Sequence, residues 1–127
     1  MASIRVLIVD DMAQVRRDLR TVLPLAGQAA GLEIEIVGEA GDGQEAVRQA
    51  AALRPDVALM DLAMPAADGY EATRQIKARL PGCRVVALTI HGDETARQKA
   101  MQAGVDVFVV KGAPITSLVQ SMLKEKE

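Results

Sequence analysis

Apolar residues fall along this chain in two alternating rhythms. Compact runs rich in branched aliphatic side chains, Ile4 to Val9, Glu33 to Val37, Val57 to Met60, Arg84 to Leu88 and Val107 to Val110, are separated by stretches in which apolar residues recur at helical spacing. The first rhythm fits short strands covered on both faces, the second amphipathic helices with one buried stripe. Val15, Leu19, Val22 and Leu23 mark the first stripe; Ala46, Val47, Ala50 and Leu53 mark the next, and Ala72, Ile76 and Leu80 the third. A fourth helix is expected from about Asp93 to Ala103, and Ile115, Leu118, Val119, Met122 and Leu123 mark a fifth.

Proline and glycine punctuate this alternation. Pro24 should end or kink the first helix, which leaves Leu25 to Gly31 open between a further helical turn and a loop. Gly41-Asp42-Gly43 supplies a turn and a helix start, Pro65 fixes one φ angle, and Gly69 allows close backbone approach. Pro81-Gly82 ends the third helix and Gly104 the fourth. Strict alternation of strand and helix predicts an α/β fold of flavodoxin-like (βα)5 type. Its five-stranded parallel sheet is doubly wound in the order 2-1-3-4-5, with helices on both faces, a three-layer sandwich.

The 127 residues are about one ordinary domain, and a half-hydrophobic composition is enough for a core. A net charge of −2, with no basic cluster interleaved with aromatics, argues against direct nucleic-acid binding. No apolar stretch reaches the roughly 18 residues of a membrane span, and Met1-Ala2-Ser3 leads straight into a strand, so a soluble, cytoplasmic protein is expected. Cys83, the single cysteine, is expected to be a surface or half-buried thiol without metal or catalytic company.

The chemistry sits where the runs end. Asp10-Asp11 closes the first run, Asp61 the third, Thr89 the fourth and Lys111 the fifth. In an open parallel sheet, functional groups collect outside the carboxyl ends of the strands, so these residues should meet at one edge. Crowded carboxylates repel and raise each other's pKa unless a cation intervenes, and oxygen ligands with open positions suit Mg²⁺, or Mn²⁺, better than Zn²⁺. A carboxylate beside such an ion can act as a nucleophile toward phosphorus, with a lysine countering charge on the phosphoryl oxygens. Taken singly, each residue has a plainer explanation: helix cap, turn residue or solvated charge.

The ordered set resembles the receiver domain of two-component response regulators. It comprises Val9-Asp10-Asp11, Pro55 to Pro65 with Asp61 at its centre, Asp68-Gly69, Leu88-Thr89, and Ala103-Gly104 followed by Phe108 and Lys111. The resemblance implies a phosphorelay protein that takes a phosphoryl group from a histidine kinase or phosphotransfer protein onto Asp61. It further implies that Asp11 ligates Mg²⁺ directly, Asp10 largely through water, and that Asp61 and the Ala63 carbonyl join the shell. Thr89 would bond a phosphoryl oxygen, Phe108 would rotate between exposed and buried positions, and Lys111 would pair with the phosphoryl group. The output face would be the surface of the fourth helix, fifth strand and fifth helix, including Gln98, Gln102 and Gln120. Residues 3–125 would form the receiver, without catalysis beyond self-phosphorylation and self-dephosphorylation.

Ile36 to Gly43 and Lys111-Gly112-Ala113-Pro114 are similar to receivers that precede a LuxR-type output domain. No such domain follows before the tail Lys124 to Glu127, so the chain reads either as a stand-alone receiver or as part of a DNA-binding regulator. Phosphorylation-dependent self-association is compatible with this reading. Three features depart from the family. Gly112 replaces the common proline after the lysine, so a trans bond is expected because cis costs about 2.5–4 kcal/mol without proline. Ile90 stands where a small residue is common, and the segment between helix one and strand two is long. Ile90, Ala63 and the lone His91 are expected to modulate access to Asp61, and His91 has no second His or Cys with which to hold metal. A phosphatase or phosphotransferase would want an acid two residues beyond Asp61, where Ala63 stands; a phosphate-independent module would tolerate losses in the set; a nucleotide binder would want glycines where Asp10-Asp11 stand.

Overall fold

The structure, a computed structural model, describes residues 2–65, 68–90 and 92–123. The elements alternate as β1 (Ala2–Val9), α1 (Ala13–Ala29), β2 (Leu32–Ala40), α2 (Gly43–Leu53), β3 (Val57–Asp61), α3 (Asp68–Arg79), β4 (Arg84–Thr89), α4 (Glu94–Ala103), β5 (Val107–Val110) and α5 (Ile115–Ser121). All strand pairs are parallel and the order is β2-β1-β3-β4-β5, the doubly wound arrangement that the alternation predicts.

Period-two alternation along the central strands divides the core into two layers. Val6, Ile8, Leu59 and Val86 pack with Leu23 of α1 and Leu118 and Val119 of α5. Leu7, Val9, Ala58, Met60 and Val85 face the other way, toward Ala46 and Ala50 of α2, Ala72 and Ile76 of α3, and Ala100 of α4. The alanines on this second face let the helices lie close to the sheet. Cys83 is buried within that layer, rather than at the surface or half-exposed, and burial pushes its thiol up to about 11.

Four boundaries differ from the sequence expectation. β1 begins at Ala2 because Ala2 to Val6 pair with Leu32 to Ile36. Helix α1 runs through Pro24 to Ala29, so Leu25 to Ala29 are helical, with Gly31 turning the chain at φ +78°. Proline removes one helical hydrogen bond, but Leu23 and Gly27 are buried and hold the helix onto β2. A Cβ on Gly27 would lie 2.8 Å from the Ile34 side chain. β2 continues past Val37 to Ala40 through a bulge: Val6 pairs with Ile36 but Leu7 with Gly38, leaving Val37 as the extra residue. At the carboxyl end α5 stops at Ser121, so of the expected markers Met122 and Leu123 lie beyond the helix, Met122 buried and Leu123 38% exposed.

Turn chemistry fixes the helix starts. Asp42 caps α2 by accepting from the Glu45 amide at 2.8 Å, while Glu45 accepts from the Gly41 amide at 3.1 Å, and Asp93 caps α4 through the Ala96 amide at 2.8 Å. Gly69 allows the approach that the sequence suggests, since a Cβ there would stand 2.6 Å from the Asp61 carbonyl oxygen. Gly69→Ala is therefore expected to destabilise the domain by about 1–3 kcal/mol through overpacking against backbone. Gly82→Ala, with nothing within 4 Å of the new methyl, should stay within about 0.5 kcal/mol of the parent. Urea unfolding of both variants checks the contrast; equal effects would contradict it.

Candidate acidic site

At the carboxyl ends of β1, β3 and β5 the chain leaves the sheet between apolar neighbours, and this places Asp10, Asp61 and Lys111 together. Asp10 is 1% and Asp61 3% exposed. Carboxylate oxygens of Asp10, Asp11 and Asp61 lie within 4.8 Å of one another, a spacing that fits a single small cation. Lys111 Nζ stands 3.4 Å from Asp10 Oδ2 and 3.6 Å from Asp61 Oδ1, bridging the two buried acids.

The remaining partners decide what each acid has left to offer. Asp10 Oδ1 accepts from the Met12 amide at 2.9 Å and starts α1, whose cap residue Met12 has no capping side-chain bond of its own. Both Asp10 oxygens are thus partly occupied. Asp11 is exposed and stands on the same turn. Asp61 Oδ1 accepts from the Ala63 amide at 2.9 Å, so the loop after β3 bends over the acid, and among the described residues no hydrogen bond falls on Oδ2.

Burial holds the Asp61 carboxyl above the ordinary carboxylate range; the Ala63 amide works against this, the Asp10 charge adds to it, Lys111 opposes, and Asp11 adds a smaller push. Three carboxylates face one ammonium, so two negative charges lack local compensation when all are ionised.

Thr89 closes β4 and is 3% exposed, and its carbonyl accepts from the Lys111 amide at 2.7 Å, so the ends of β4 and β5 are tied together beside the acids. Phe108 is half-buried on β5 opposite Ala87 and packs on the core layer under α4, with the Arg97 guanidinium 5.4 Å from its ring centroid. Ala63 is exposed, and Ile90 is exposed immediately after β4. His91 lies outside the described residues, as does the tail from Lys124 to Glu127. Gln98, Gln102 and Gln120 are exposed on α4 and α5. No peptide bond among the described residues is cis, which agrees with a trans Lys111-Gly112, and Gly112 takes φ +98°.

One cluster beside the acids escapes the strand-end pattern. Arg16, one turn into α1, donates from Nη1 to the Asp10 carbonyl at 2.6 Å and from Nε to Glu39 at 3.1 Å, while Arg20 Nη1 meets the other Glu39 oxygen at 2.7 Å. Glu39 lies past the β2 bulge and beyond the expected end of the second strand at Val37, so only the i, i+4 spacing of the two arginines hints at it.

Residues 6–123 match the family model described as the response regulator receiver domain. Among curated relatives, the response regulator GacA of Pseudomonas viridiflava is 38% identical over 119 residues, 94% of this chain and 53% of that protein. The chemotaxis protein CheY of Thermotoga maritima is 33% identical, covering 94% of this chain and 95% of its own. A two-component response regulator of the LuxR family from Aurantimonas sp. SI85-9A1 superposes with a TM-score of 0.84 at 32% identity, over 94% of this chain and 81% of that one. The chain spans about half the length of GacA and of the similarly matched activator DevR/DosR of Mycobacterium tuberculosis.

The raised Asp61 pKa carries a sign for stability. The folded carboxyl keeps its proton to higher pH than the unfolded one, so the folded state binds more protons, and stability falls as pH rises through the ordinary carboxylate range and past it. Without divalent ions, Asp61→Asn should then be more stable than the parent at pH 7, by on the order of 1 kcal/mol, with the gain shrinking toward pH 4. Urea unfolding across that range measures it; a difference independent of pH would contradict the assignment.

Proposed function

The chain belongs to the response regulator receiver domain family of two-component signalling, and we propose that its phosphoacceptor is Asp61. The observation that carries this reading is the buried Asp61 carboxylate bridged to Lys111 and crowded by Asp10 and Asp11. Asp61 Oδ2 attacks the phosphorus of a phosphohistidine in a histidine kinase or phosphotransfer protein. An O–P bond forms as the N–P bond breaks, and the leaving imidazole nitrogen takes a proton from solvent. Lys111 counters the charge on the phosphoryl oxygens, and Thr89 offers its hydroxyl at the end of β4.

The donor set fits Mg²⁺ or Mn²⁺: hard oxygens only, close together, with one acid exposed. When bound, the ion supplies positive charge against the acids and the incoming phosphoryl oxygens. Asp11, whose carboxylate is exposed, suits a direct ligand role, whereas Asp10, already engaged by the Met12 amide and Lys111, suits contact through water. The Ala63 carbonyl and Asp61 complete the proposed shell.

Partners follow from surfaces near the site. An apolar cleft of about 180 Å³ between α1 and α5, lined by Val15, Leu19, Leu88, Val109 and Ile115 and bordered by Lys111, gives a phosphodonor protein a foothold beside Asp61. The α4-β5-α5 face, with Gln98, Gln102 and Gln120, is the proposed output surface, coupled to the site through Thr89 and Phe108 as a shift between two populations. Residues 3–125 constitute the receiver, and output resides in a partner, a second copy of this chain, or a LuxR-type domain like those of its relatives. The domain's own chemistry is confined to gaining and losing the phosphoryl group. Among the described residues, no helix is long and apolar enough to cross a membrane.

With a small phosphodonor and Mg²⁺, the parent should incorporate one phosphoryl group at Asp61. Asp61→Asn should abolish incorporation, because the amide is not a nucleophile toward phosphorus, and chelation of the metal should lower it at least about tenfold. Ile90→Ala should speed incorporation by opening the approach, and Ala63→Asn or His91→Glu should alter the rate of phosphoryl loss. Mass mapping and phosphate-release kinetics read these outcomes; a stable phosphoryl group on another residue would overturn the acceptor assignment.

A further inference from the structure

Arg16 makes a contact that the acidic cluster alone does not explain. Its Nη1 reaches back 2.6 Å to the carbonyl oxygen of Asp10, while its Nε is held by Glu39 at 3.1 Å. Glu39 is itself held by Arg20 at 2.7 Å, so the Arg16 fork is fixed at both prongs. The side chains of Arg16 and Glu39 are 21% and 26% exposed, so the pair is only partly open to solvent screening.

The β2 bulge makes this arrangement reachable. Ile34 and Ile36 point into the layer under α1, and without an extra residue Glu39 would point to the opposite face of the sheet. Val37 adds the residue, Glu39 falls opposite Ile8, and its carboxylate meets α1. The same shift brings the Ala40 carbonyl to the Asp10 amide at 3.0 Å. The backbone on both sides of Asp10 is therefore held, the N–H by β2 and the C=O by Arg16.

A peptide group is planar, and the carbonyl of Asp10 shares its plane with the amide of Asp11. Holding that oxygen fixes the plane that carries the Asp11 N and Cα, and so restricts the directions in which the Asp11 side chain can leave the chain. Asp11 is exposed and is the acid with the freest carboxylate, so its aim depends on this plane more than on packing. We propose that Arg16, oriented by Glu39, is a positioning residue that locks the Asp10-Asp11 peptide and so presents the Asp11 carboxylate to a divalent cation. This rests on the acidic cluster being a cation site. Groups that orient metal ligands from outside typically contribute tenfold or more to affinity.

Charge and geometry make opposite predictions here. Deleting the Arg16 charge should tighten cation binding by Coulomb's law alone, whereas loss of positioning should weaken it. Arg16→Lys keeps the charge but not the two-pronged fork. In an NMR titration of the full chain with MgCl₂, followed at the Asp11 and Met12 amides, the parent should show saturable shifts. Arg16→Lys should bind Mg²⁺ about tenfold more weakly, and Arg16→Met at least as weakly despite its lost charge. Arg17→Met, which removes the same charge from the neighbouring position, where the Arg17 guanidinium hydrogen-bonds Gln14 and no acidic residue among the described residues, should bind like the parent or slightly tighter. Parent-like affinity in Arg16→Lys, even with a lower melting temperature, would overturn the proposal, and this variant decides should Arg16→Met not fold. If the parent itself shows no saturable shift, the cation-site reading fails first.

Discussion

Two carboxylates buried at adjacent strand ends, Asp10 and Asp61, share one lysine. Much of the surrounding structure can be understood as what is needed to keep them there. Lys111 compensates one negative charge of a cluster that carries three when Asp11 is counted. The folded protein holds an excess of negative charge that a divalent cation is suited to resolve. Desolvation, the largest influence on Asp61, makes that excess expensive inside the protein, where the same charges would interact weakly in water.

The fold contributes rigidity at that edge. β1 and β3 are flanked on both sides by other strands, and Val6 to Val9 and Val57 to Met60 are almost wholly buried, so the carboxyl ends of these strands have little freedom. Gly69 brings α3 against the Asp61 backbone, the Ala63 amide bends the following loop over the carboxylate, and the Lys111 amide binds the Thr89 carbonyl. By contrast Ala63 and Ile90 are exposed on loops, where access and partner contact can change without disturbing the core.

Most of this was legible in the chain. Branched aliphatic runs ending in Asp, Thr or Lys identify the strands and their chemical edge together, because a parallel sheet imposes both burial and a common terminus for function. Where the reading fell short, long-range packing overrode local signals. Pro24 reads as an end or a kink and leaves Leu25 to Gly31 open; α1 passes through it to Ala29, with Leu23 and Gly27 buried. The second strand is expected to end near Val37, yet β2 continues through Gly38 to Ala40, since the register shift at Val37 and the close packing of Leu53 and Gln49 over Gly38 are tertiary facts. The Arg16-Glu39 contact was hidden for the same reason: its partners are 23 residues apart, and only the bulge puts them on one face. Burial of Cys83 likewise depends on the helices that cover β4.

Stability measured against Mg²⁺ concentration tests the excess of negative charge directly. If the cluster binds the ion only when folded, the unfolding free energy should rise with the logarithm of concentration above the dissociation constant, by about 1.4 kcal/mol per tenfold increase. The same titration with Asp11→Asn should shift to higher concentration, and sodium chloride at matched ionic strength should not reproduce the rise. A parent protein whose stability is indifferent to Mg²⁺ at these concentrations would contradict the account.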